Sequence, residues 1–172
     1  MSSILPLPPG VVGEFVGRSH VDLSRVTELL NQYPTLIHAA FDWGNGDWET
    51  ALGAAAHSGR KDIAGFLVAR GARMDIYAAA TLGRLSLVRA FLHESPGLLH
   101  QGGPHGIALI EHAKKGGDRE TVAYLNHLLH PEKKKSSGAH PRAQRVHRNG
   151  KTRPVSRPKP SRTSKPKRRR AA

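Results

Sequence analysis

The stretch Glu49-Thr-Ala-Leu-Gly-Ala-Ala-Ala-His-Ser-Gly59, followed by Arg60-Lys-Asp-Ile-Ala-Gly-Phe-Leu-Val-Ala-Arg-Gly-Ala72, decides the fold prediction. The first half is dense in alanine, and the second half spaces its aliphatic residues as one face of a helix. A glycine follows each half, and a left-handed glycine is a common helix ending. The pattern therefore predicts a short helix, a turn and a longer second helix.

The same arrangement recurs along the chain. Residues 21–30 and 34–38 align with residues 83–92 and 96–100 at an offset of 62. A second alignment superposes residues 55–59, 79–83 and 113–117. Self-similarity at a period of roughly 33 residues is the sequence signature of a helical solenoid. The turn positions of the four units are Val21, Gly59, Gly83 and Gly117.

These residues resemble ankyrin repeats, with residues 49–72 as the most complete unit and residues 14–129 as about four units. The resemblance implies paired helices packed through small alanines, with inter-repeat hairpins that help to form a binding surface. The chain departs from the family pattern in three places. Thr50-Ala-Leu-Gly53 lacks the usual Pro and His, Val21 replaces a turn glycine, and the third unit follows after only 24 residues. That short spacing leaves no room for a projecting hairpin.

Apolar periodicity predicts helices at about 23–30, 50–57, 63–68, 76–82, 85–92, 108–115 and 119–129. Asp75 is placed to cap one of them, and Asp22 or Ser24 to cap another. No stretch alternates with period two over a useful length, so we expect no sheet. The fold class is therefore all-α, an ankyrin-like helical repeat solenoid with a disordered basic C-terminal tail.

Charge divides the chain into parts. Residues 131–172 hold 16 of the 27 Lys and Arg but only one of the 13 acidic residues, so they carry a net charge of +15 and the remaining residues −1, which together give +14. We expect a Pro-rich leader over 1–12, an ankyrin-repeat domain over 13–129 and a disordered tail over 130–172.

Composition excludes several classes of protein. There is no cysteine, which excludes disulfides and thiolate chemistry. The first twelve residues lack the basic start of a secretory signal, and no apolar run reaches the roughly 20 residues that span a bilayer. We therefore expect no membrane insertion and a cytoplasmic location, or a nuclear one if the host has a nucleus.

The most distinctive segment of the body is Phe41-Asp-Trp-Gly-Asn-Gly-Asp-Trp-Glu49, which joins units one and two. It holds both tryptophans and three carboxylates, and no Lys or Arg lies between residues 38 and 59. Tryptophan is enriched at binding hot spots. One interpretation is an aromatic and acidic patch for a protein partner, and the other is that the indoles cover the end of the helical stack. The candidate protein-binding residues are Phe41, Asp42, Trp43, Asp47, Trp48, Glu49 and His105, the last from a second glycine-rich loop over 102–106.

The histidines give no metal motif. Nine of the eleven lie in the body, and no pair has the spacing of zinc ligands on a helix with an acid beside it. Interpreted as surface or capping residues, they predict no metal site, and the Gly-Asn-Gly-Asp run lacks the spaced carboxylates of a calcium loop. No phosphate loop, nucleophile elbow or acid–base pair of carboxylates is found. We expect no cofactor and no enzymatic activity.

The tail is suited to polyanions. It has no aromatic residue to stack on bases, so contacts with nucleic acid would be electrostatic and nearly independent of sequence. Two alternatives are a tail that only solubilises and a tail that folds back on the acidic 41–49 loop. The candidate polyanion-binding residues are Lys133, Lys134, Lys135, Lys165, Lys167, Arg168, Arg169 and Arg170.

Two hypotheses for function follow. In the first, the chain is a non-enzymatic protein–protein interaction module, a monomer with an unknown protein partner, whose tail adds non-specific contact with nucleic acid or another polyanion. In the second, it is a nucleic-acid-associated protein whose tail is the active element and whose repeats are a docking handle.

Overall fold

The computed structural model describes residues 7–131 of the chain. These residues form eight α-helices, three short 3-10 helices and a two-stranded antiparallel hairpin. The helices are α1 (Val11–Arg18), α2 (Leu23–Gln32), α3 (Ala51–His57), α4 (Lys61–Ala69), α5 (Ile76–Thr81), α6 (Leu85–Glu94), α7 (Leu109–Gly116) and α8 (Arg119–Leu129), the strands are β1 (Ala40–Asp42) and β2 (Trp48–Thr50), and the 3-10 helices are Pro34–His38, Pro96–Leu99 and Pro104–Gly106.

The helices pack in consecutive pairs. Each of the inner helices α1, α3, α5 and α7 contacts the helix that follows it in the chain, which is α2, α4, α6 or α8. The inner helices also pack on one another, since α3 contacts α1, α5 and α7, and α5 contacts α7. The C-terminal ends of the inner helices, and the loops beside them, therefore lie close together in space.

Small side chains allow this close packing. The alanines at 54–56 and 78–80 are fully buried between helices. The buried Thr81 hydroxyl lies 3.0 Å from the carbonyl oxygen of Ala56 in α3 and 3.3 Å from that of His112 in α7. A Cβ atom on Gly116 would stand only 2.0 Å from the carbonyl oxygen of Thr81. Contact between α5 and α7 thus requires a glycine at 116.

The predicted turn glycines end the inner helices. Gly59 has a φ of 74° and Gly83 a φ of 68°, in the left-handed region that favours glycine. After each of them a backbone N–H bonds back to the third-last residue of the helix: Arg60 to Ala55 and Arg84 to Ala79, both at 2.9 Å. This is the Schellman arrangement, which satisfies the last carbonyls of the helix.

The helix starts follow ordinary capping chemistry. The Asp75 carboxylate accepts the N–H of Ala78 at 2.7 Å, which confirms the predicted cap of α5. Of the two candidates for α2, Asp22 is the cap, since it accepts the N–H of Arg25 at 3.0 Å. Thr50 caps α3 in the same way, through the N–H of Gly53.

The expectation that the chain has no sheet is wrong. Ala40 pairs with Thr50, Phe41 with Glu49 and Asp42 with Trp48 in a short hairpin between the first and second helix pairs. Three-residue strands are too short for alternation to stand out in the sequence. The described chain is therefore mostly helical rather than all-α. The segment 70–75 before α5 contains no strand, as the short spacing predicted.

Helix α1 was not predicted. It begins at Val11, inside the segment assigned to the extended leader, and buries Val11, Phe15 and Val16. Its two internal glycines, Gly13 and Gly17, weaken the helical signal. The structure explains Gly13, since a Cβ atom there would stand 2.8 Å from the Phe41 ring. Residues 1–6 and the predicted disordered tail from residue 132 onward lie outside the described residues.

No helix in the described part of the chain has the length and apolar character needed to cross a membrane.

The close approach at Gly116 gives a test of the packing. Gly116→Ala is expected to lower the free energy of unfolding by several kcal/mol, because the clash with Thr81 is with backbone and cannot be relieved by a rotamer change. Gly65→Ala in α4 is the matched control: a Cβ atom there meets nothing within 4 Å. That change is expected to raise stability by about 0.5–1 kcal/mol. Urea unfolding followed by circular dichroism measures both, and equal effects would contradict the packing.

Candidate functional site

The hairpin presents the tryptophan loop that the sequence singled out. Between the strands the chain reverses through Asn45, which has a φ of 56°, and the N–H of Trp43 bonds to the carbonyl of Asp47 at 3.1 Å. Asparagine tolerates this left-handed conformation better than most residues. Side chains on the hairpin point alternately to its two faces, so neighbouring residues of this loop have different environments.

The two indoles are both accessible, and to different degrees. Trp48 is 63% exposed, and Trp43 is 45% exposed. Trp43 contacts the Phe41 ring edge-to-face, with centroids 4.8 Å apart, and its ring reaches Gly17 of α1. Trp43 and Phe41 therefore rest partly on α1, while Trp48 projects into solvent. Of the two interpretations of this loop, end-cap packing applies to part of Trp43 and not to Trp48.

Glu49 does not belong to the exposed patch to which the sequence assigned it. Its side chain is buried, and the indole N–H of Trp43 donates to its Oε2 at 2.8 Å. Because Glu49 lies between two outward-facing neighbours on β2, its carboxylate points into the body. The exposed acidic surface of the loop is therefore Asp42 and part of Asp47.

His105 joins the hairpin from the second glycine-rich loop, so the two candidate loops meet. Asp47 accepts two hydrogen bonds from His105: Oδ1 from the backbone N–H at 3.1 Å, and Oδ2 from the ring Nδ1 at 2.6 Å. His105 has a φ of 56°, a conformation that stores strain in residues other than glycine. The loop is closed by a bridge between Gly102 and Ala108. The two hydrogen bonds with Asp47 hold His105 in this strained backbone conformation.

Two further histidines complete a cluster that sequence reasoning missed. His20, in the turn after α1, and His57, the last residue of α3, face each other with their Nε2 atoms 3.1 Å apart. The sequence treats the histidines as separate surface or capping residues, but these two and His105 lie together in the structure, with His20 and His57 half-buried and His105 exposed. A signal was present: His57 and His20 both stand within two residues of an aligned turn position, at Gly59 and Val21. Aligned turns of neighbouring units lie side by side.

The possible ligand atoms of these three histidines and of Glu49 lie close together. The Nε2 atoms of His20, His57 and His105 and the carboxylate of Glu49 each offer a ligand atom, and these atoms lie within 4.8 Å of one another. His57 Nε2 lies 2.8 Å, and His105 Nε2 3.4 Å, from Glu49 Oε1, while His20 Nε2 lies 3.6 Å from Oε2. We name these residues the His–Glu cluster. Among the described residues it is the one group with the donors to hold a metal ion.

Contacts between the carboxylates and the histidines at this site shift their pKa values. The hydrogen bond with His105 holds the pKa of Asp47 below its usual value, and the same contact raises the pKa of His105. Burial of the Glu49 carboxylate raises its pKa, but contacts with His57 and Trp43 outweigh burial, so the pKa is lowered overall. Glu49 is thus a buried carboxylate kept ionised by its neighbours.

A shallow groove of about 370 Å³ runs between the hairpin and the second loop. Its walls combine the Trp48 indole and the Tyr77 ring with the carboxyl groups of Asp47 and Asp75. Burial raises the pKa of Asp75, which lies at the base of α5. The remaining lining residues are Gly46, Thr50, Gly102, Gly103 and Pro104, and no Lys or Arg is among those the structure describes there.

The predicted polyanion-binding residues are not part of this site. Lys133, Lys134, Lys135, Lys165, Lys167, Arg168, Arg169 and Arg170 all lie outside the described residues.

Comparison of the chain with profiles of known protein families, with curated protein sequences and with solved structures gave no match.

The different roles of the two indoles can be tested. Trp43→Phe removes the N–H that donates to the buried Glu49 carboxylate. A hydrogen bond to a charged group contributes about 1.5–3 kcal/mol, so the free energy of unfolding is expected to fall by about that amount. Trp48→Phe, on the exposed indole, is the control and is expected to change stability by less than about 0.5 kcal/mol. Chemical unfolding monitored by circular dichroism compares them. A loss of equal size in both variants would mean that the Trp43–Glu49 bond does not stabilise the fold.

Proposed function

We propose that this chain is a monomeric, cytoplasmic, non-enzymatic protein-interaction module, in which an ankyrin-like array of repeats carries a docking face made by the hairpin and the 102–108 loop. The partner chemistry we propose is an exposed protein segment that presents a Lys or Arg side chain beside an aliphatic one. The basic tail adds electrostatic contact with nucleic acid or another polyanion.

Three features support the ankyrin-like array. Helix pairs follow one another as α3–α4, α5–α6 and α7–α8. The turn glycines at equivalent positions share one left-handed conformation, with φ between 68° and 74° at Gly59, Gly83 and Gly117. The helices that pack on one another carry small residues, as stacked repeats require.

The observation that carries the docking proposal is the exposed Trp48 beside the acidic groove. An indole that is 63% exposed offers a large apolar face, and aromatic rings attract cations placed over that face. Asp47 and Asp75 line the same groove. A basic side chain inserted there would stack on the ring and approach these carboxylates, and no Lys or Arg is among the described lining residues. Charge complementarity of this kind favours basic partners and disfavours acidic ones.

Selection of displayed peptides on the full-length protein tests this proposal. We expect the selected peptides to be enriched in Lys or Arg next to an aliphatic residue, and Trp48→Ala to weaken their binding on the order of 30-fold, as loss of a hot spot of about 2 kcal/mol would. Leu87→Ala is the matched control, because Leu87 is an exposed apolar residue on α6, outside the groove. Titration by fluorescence anisotropy measures both variants.

Two results would refute the docking face. One is a set of selected peptides without basic residues. The other is binding that Trp48→Ala leaves within about twofold of the original affinity while Leu87→Ala weakens it.

The alternative function, in which the tail is the active element, is favoured by the concentration of positive charge alone. Sixteen basic residues in 42 form a segment that attracts polyphosphates at low salt. In this second candidate the repeats serve only as a docking handle. Both functions share the polyanion contact and differ in whether the groove has a partner.

Substitution in the full chain tests the polyanion contact. Replacing Lys165, Lys167, Arg168, Arg169 and Arg170 by Gln is expected to weaken binding to duplex DNA and to RNA alike. The slope of log Kd against log salt for duplex DNA should shrink by up to about 4.5, since each of the five phosphate contacts contributes roughly 0.9. Arg73→Gln with Arg119→Gln, two exposed basic residues of the body, is the control and should leave the slope nearly unchanged. An unchanged slope in the tail variant would exclude these five residues as the contact.

A further inference from the structure

We propose that the His–Glu cluster is a zinc site, in which His20, His57 and His105 bind one Zn²⁺ through Nε2 and Glu49 binds it through Oε1. The geometry of the cluster, the hydrogen bonds around it and the chemistry of its donors lead independently to this assignment. It goes beyond the docking function and does not depend on it.

The spacing of the donor atoms matches one small tetrahedral ion. Zinc–nitrogen and zinc–carboxylate bonds of about 2.0–2.1 Å place tetrahedral ligand atoms roughly 3.3–3.4 Å apart. The close pairs of the cluster measure 2.8 Å (His57 to Glu49), 3.1 Å (His20 to His57) and 3.4 Å (His105 to Glu49). The His57 ring stands edge-to-face to both of the others, 5.0 Å from the His105 ring and 4.9 Å from the His20 ring, and all four donor atoms lie within 4.8 Å of one another. Small rotations of these side chains bring all four atoms to bonding distance of one ion.

Hydrogen bonds outside the cluster orient two of the histidines as a metal site requires. His20 Nδ1 lies 3.0 Å from the carbonyl oxygen of Gly17, and His105 Nδ1 lies 2.6 Å from Asp47 Oδ2. Each contact holds a proton on Nδ1, so that Nε2 is the ring nitrogen that faces the cluster. A carbonyl or carboxylate behind the ring is the usual support of a zinc-bound histidine. The left-handed backbone of His105 is part of this arrangement, since it turns the ring towards both Asp47 and Glu49.

Glu49 is left with an unsatisfied oxygen. Its Oε2 accepts the Trp43 indole N–H, but among the described residues no group makes a hydrogen bond of good geometry to its Oε1, although His57 Nε2 is 2.8 Å away. A buried carboxylate oxygen without a hydrogen bond costs free energy. A cation at the centre removes this cost.

The donor set favours zinc among common ions. Three imidazole nitrogens and one carboxylate oxygen suit Zn²⁺, whereas Ca²⁺ and Mg²⁺ take mostly oxygen ligands at higher coordination numbers. The carboxylates of Glu49 and Asp47 together balance the two positive charges of the ion. Solvent reaches the cluster at His20 and His105, whose side chains are 25% and 33% exposed, so the ion has a path to the site.

Four protein ligands make this site structural. Closed tetrahedral sites stabilise a fold, while catalytic zinc keeps one position open for water. The ligands come from the turn after α1, strand β2, the end of α3 and the turn at Pro104–Gly106, so one ion would tie four separate segments together. Both loops of the proposed docking face are among them.

Zinc binding to the full-length protein is the first test. The protein is stripped with a chelator, dialysed, and titrated with ZnCl₂ in a calorimeter. We expect one tight site per chain and a melting temperature raised by about 5 °C or more under saturating zinc, because a ligand that binds only the folded state stabilises it. The same titration with CaCl₂ should show no tight site. The absence of a stoichiometric zinc site in the unsubstituted protein would overturn the proposal.

Substitutions then locate the site. His57→Gln and Glu49→Gln should each weaken zinc binding at least about 100-fold, and Asp47→Asn, behind His105, by about 10- to 100-fold. His93→Gln is the matched control, since His93 is an exposed histidine on α6 and should bind zinc as the original chain does. All of these variants keep the tail histidines, so any weak zinc binding by the tail is the same in each, and a difference between His93→Gln and His57→Gln reports on the cluster. Tight binding that survives both His57→Gln and Glu49→Gln would place the site elsewhere and refute the assignment.

Cobalt(II) gives a readout that does not depend on stability. Four-coordinate Co²⁺ absorbs far more strongly in the visible than six-coordinate Co²⁺. The original protein loaded with Co²⁺ in place of Zn²⁺ should therefore show the intense spectrum of a tetrahedral site. Asp47→Asn should keep this spectrum at higher metal concentration, as expected of a residue that positions a ligand. Loss of the spectrum in His93→Gln, or a weak octahedral spectrum in the unsubstituted chain, would contradict the four-ligand geometry.

Discussion

The close approach of the inner helices is the constraint on which the rest of the structure depends. Helix α7 approaches α5 so closely that only glycine fits at position 116. Between them, the buried Thr81 hydroxyl lies within hydrogen-bonding distance of carbonyl oxygens in α3 and α7. Because these helices pack through alanine and glycine, their C-terminal ends and the loops beside them are drawn together. The two candidate loops meet there, although His105 and Asp47 are 58 residues apart in the chain.

Local chemistry explains what the sequence predicted well. The cap at Asp75 and the turns at Gly59 and Gly83 depend on residues within one or two helical turns, so their signals are short and strong. The hairpin and α1 carry weaker signals. Strands of three residues do not show a periodic pattern. In α1, Gly13 is explained by the close approach of the Phe41 ring, a reason that appears only when the two elements are packed together.

Some residues of the candidate site could likewise be predicted from the sequence, and others could not. The tryptophan loop and His105 were predicted, because rare residues in glycine-rich loops stand out by composition. The burial of Glu49 and the participation of His20 and His57 were not, because each depends on contacts between separate units. His20 and His57 are 37 residues apart, and no spacing rule for helical zinc ligands covers that separation. Only the equivalence of their turn positions connects them in the sequence.

One strand gives the two faces of the hairpin their separate roles. Along β2, Trp48 points outward to the groove and Glu49 points inward to the histidines, because neighbouring residues of a strand face opposite sides. Anything that fixes the Glu49 carboxylate therefore fixes the backbone that presents Trp48. Asp47 makes the link on the other side, since the hydrogen bonds that orient His105 also join the hairpin to the second loop. A rigid indole loses less conformational entropy when a partner binds. If the groove binds a partner as proposed, an ion in the inward-facing cluster would hold the backbone that presents Trp48 without touching that partner.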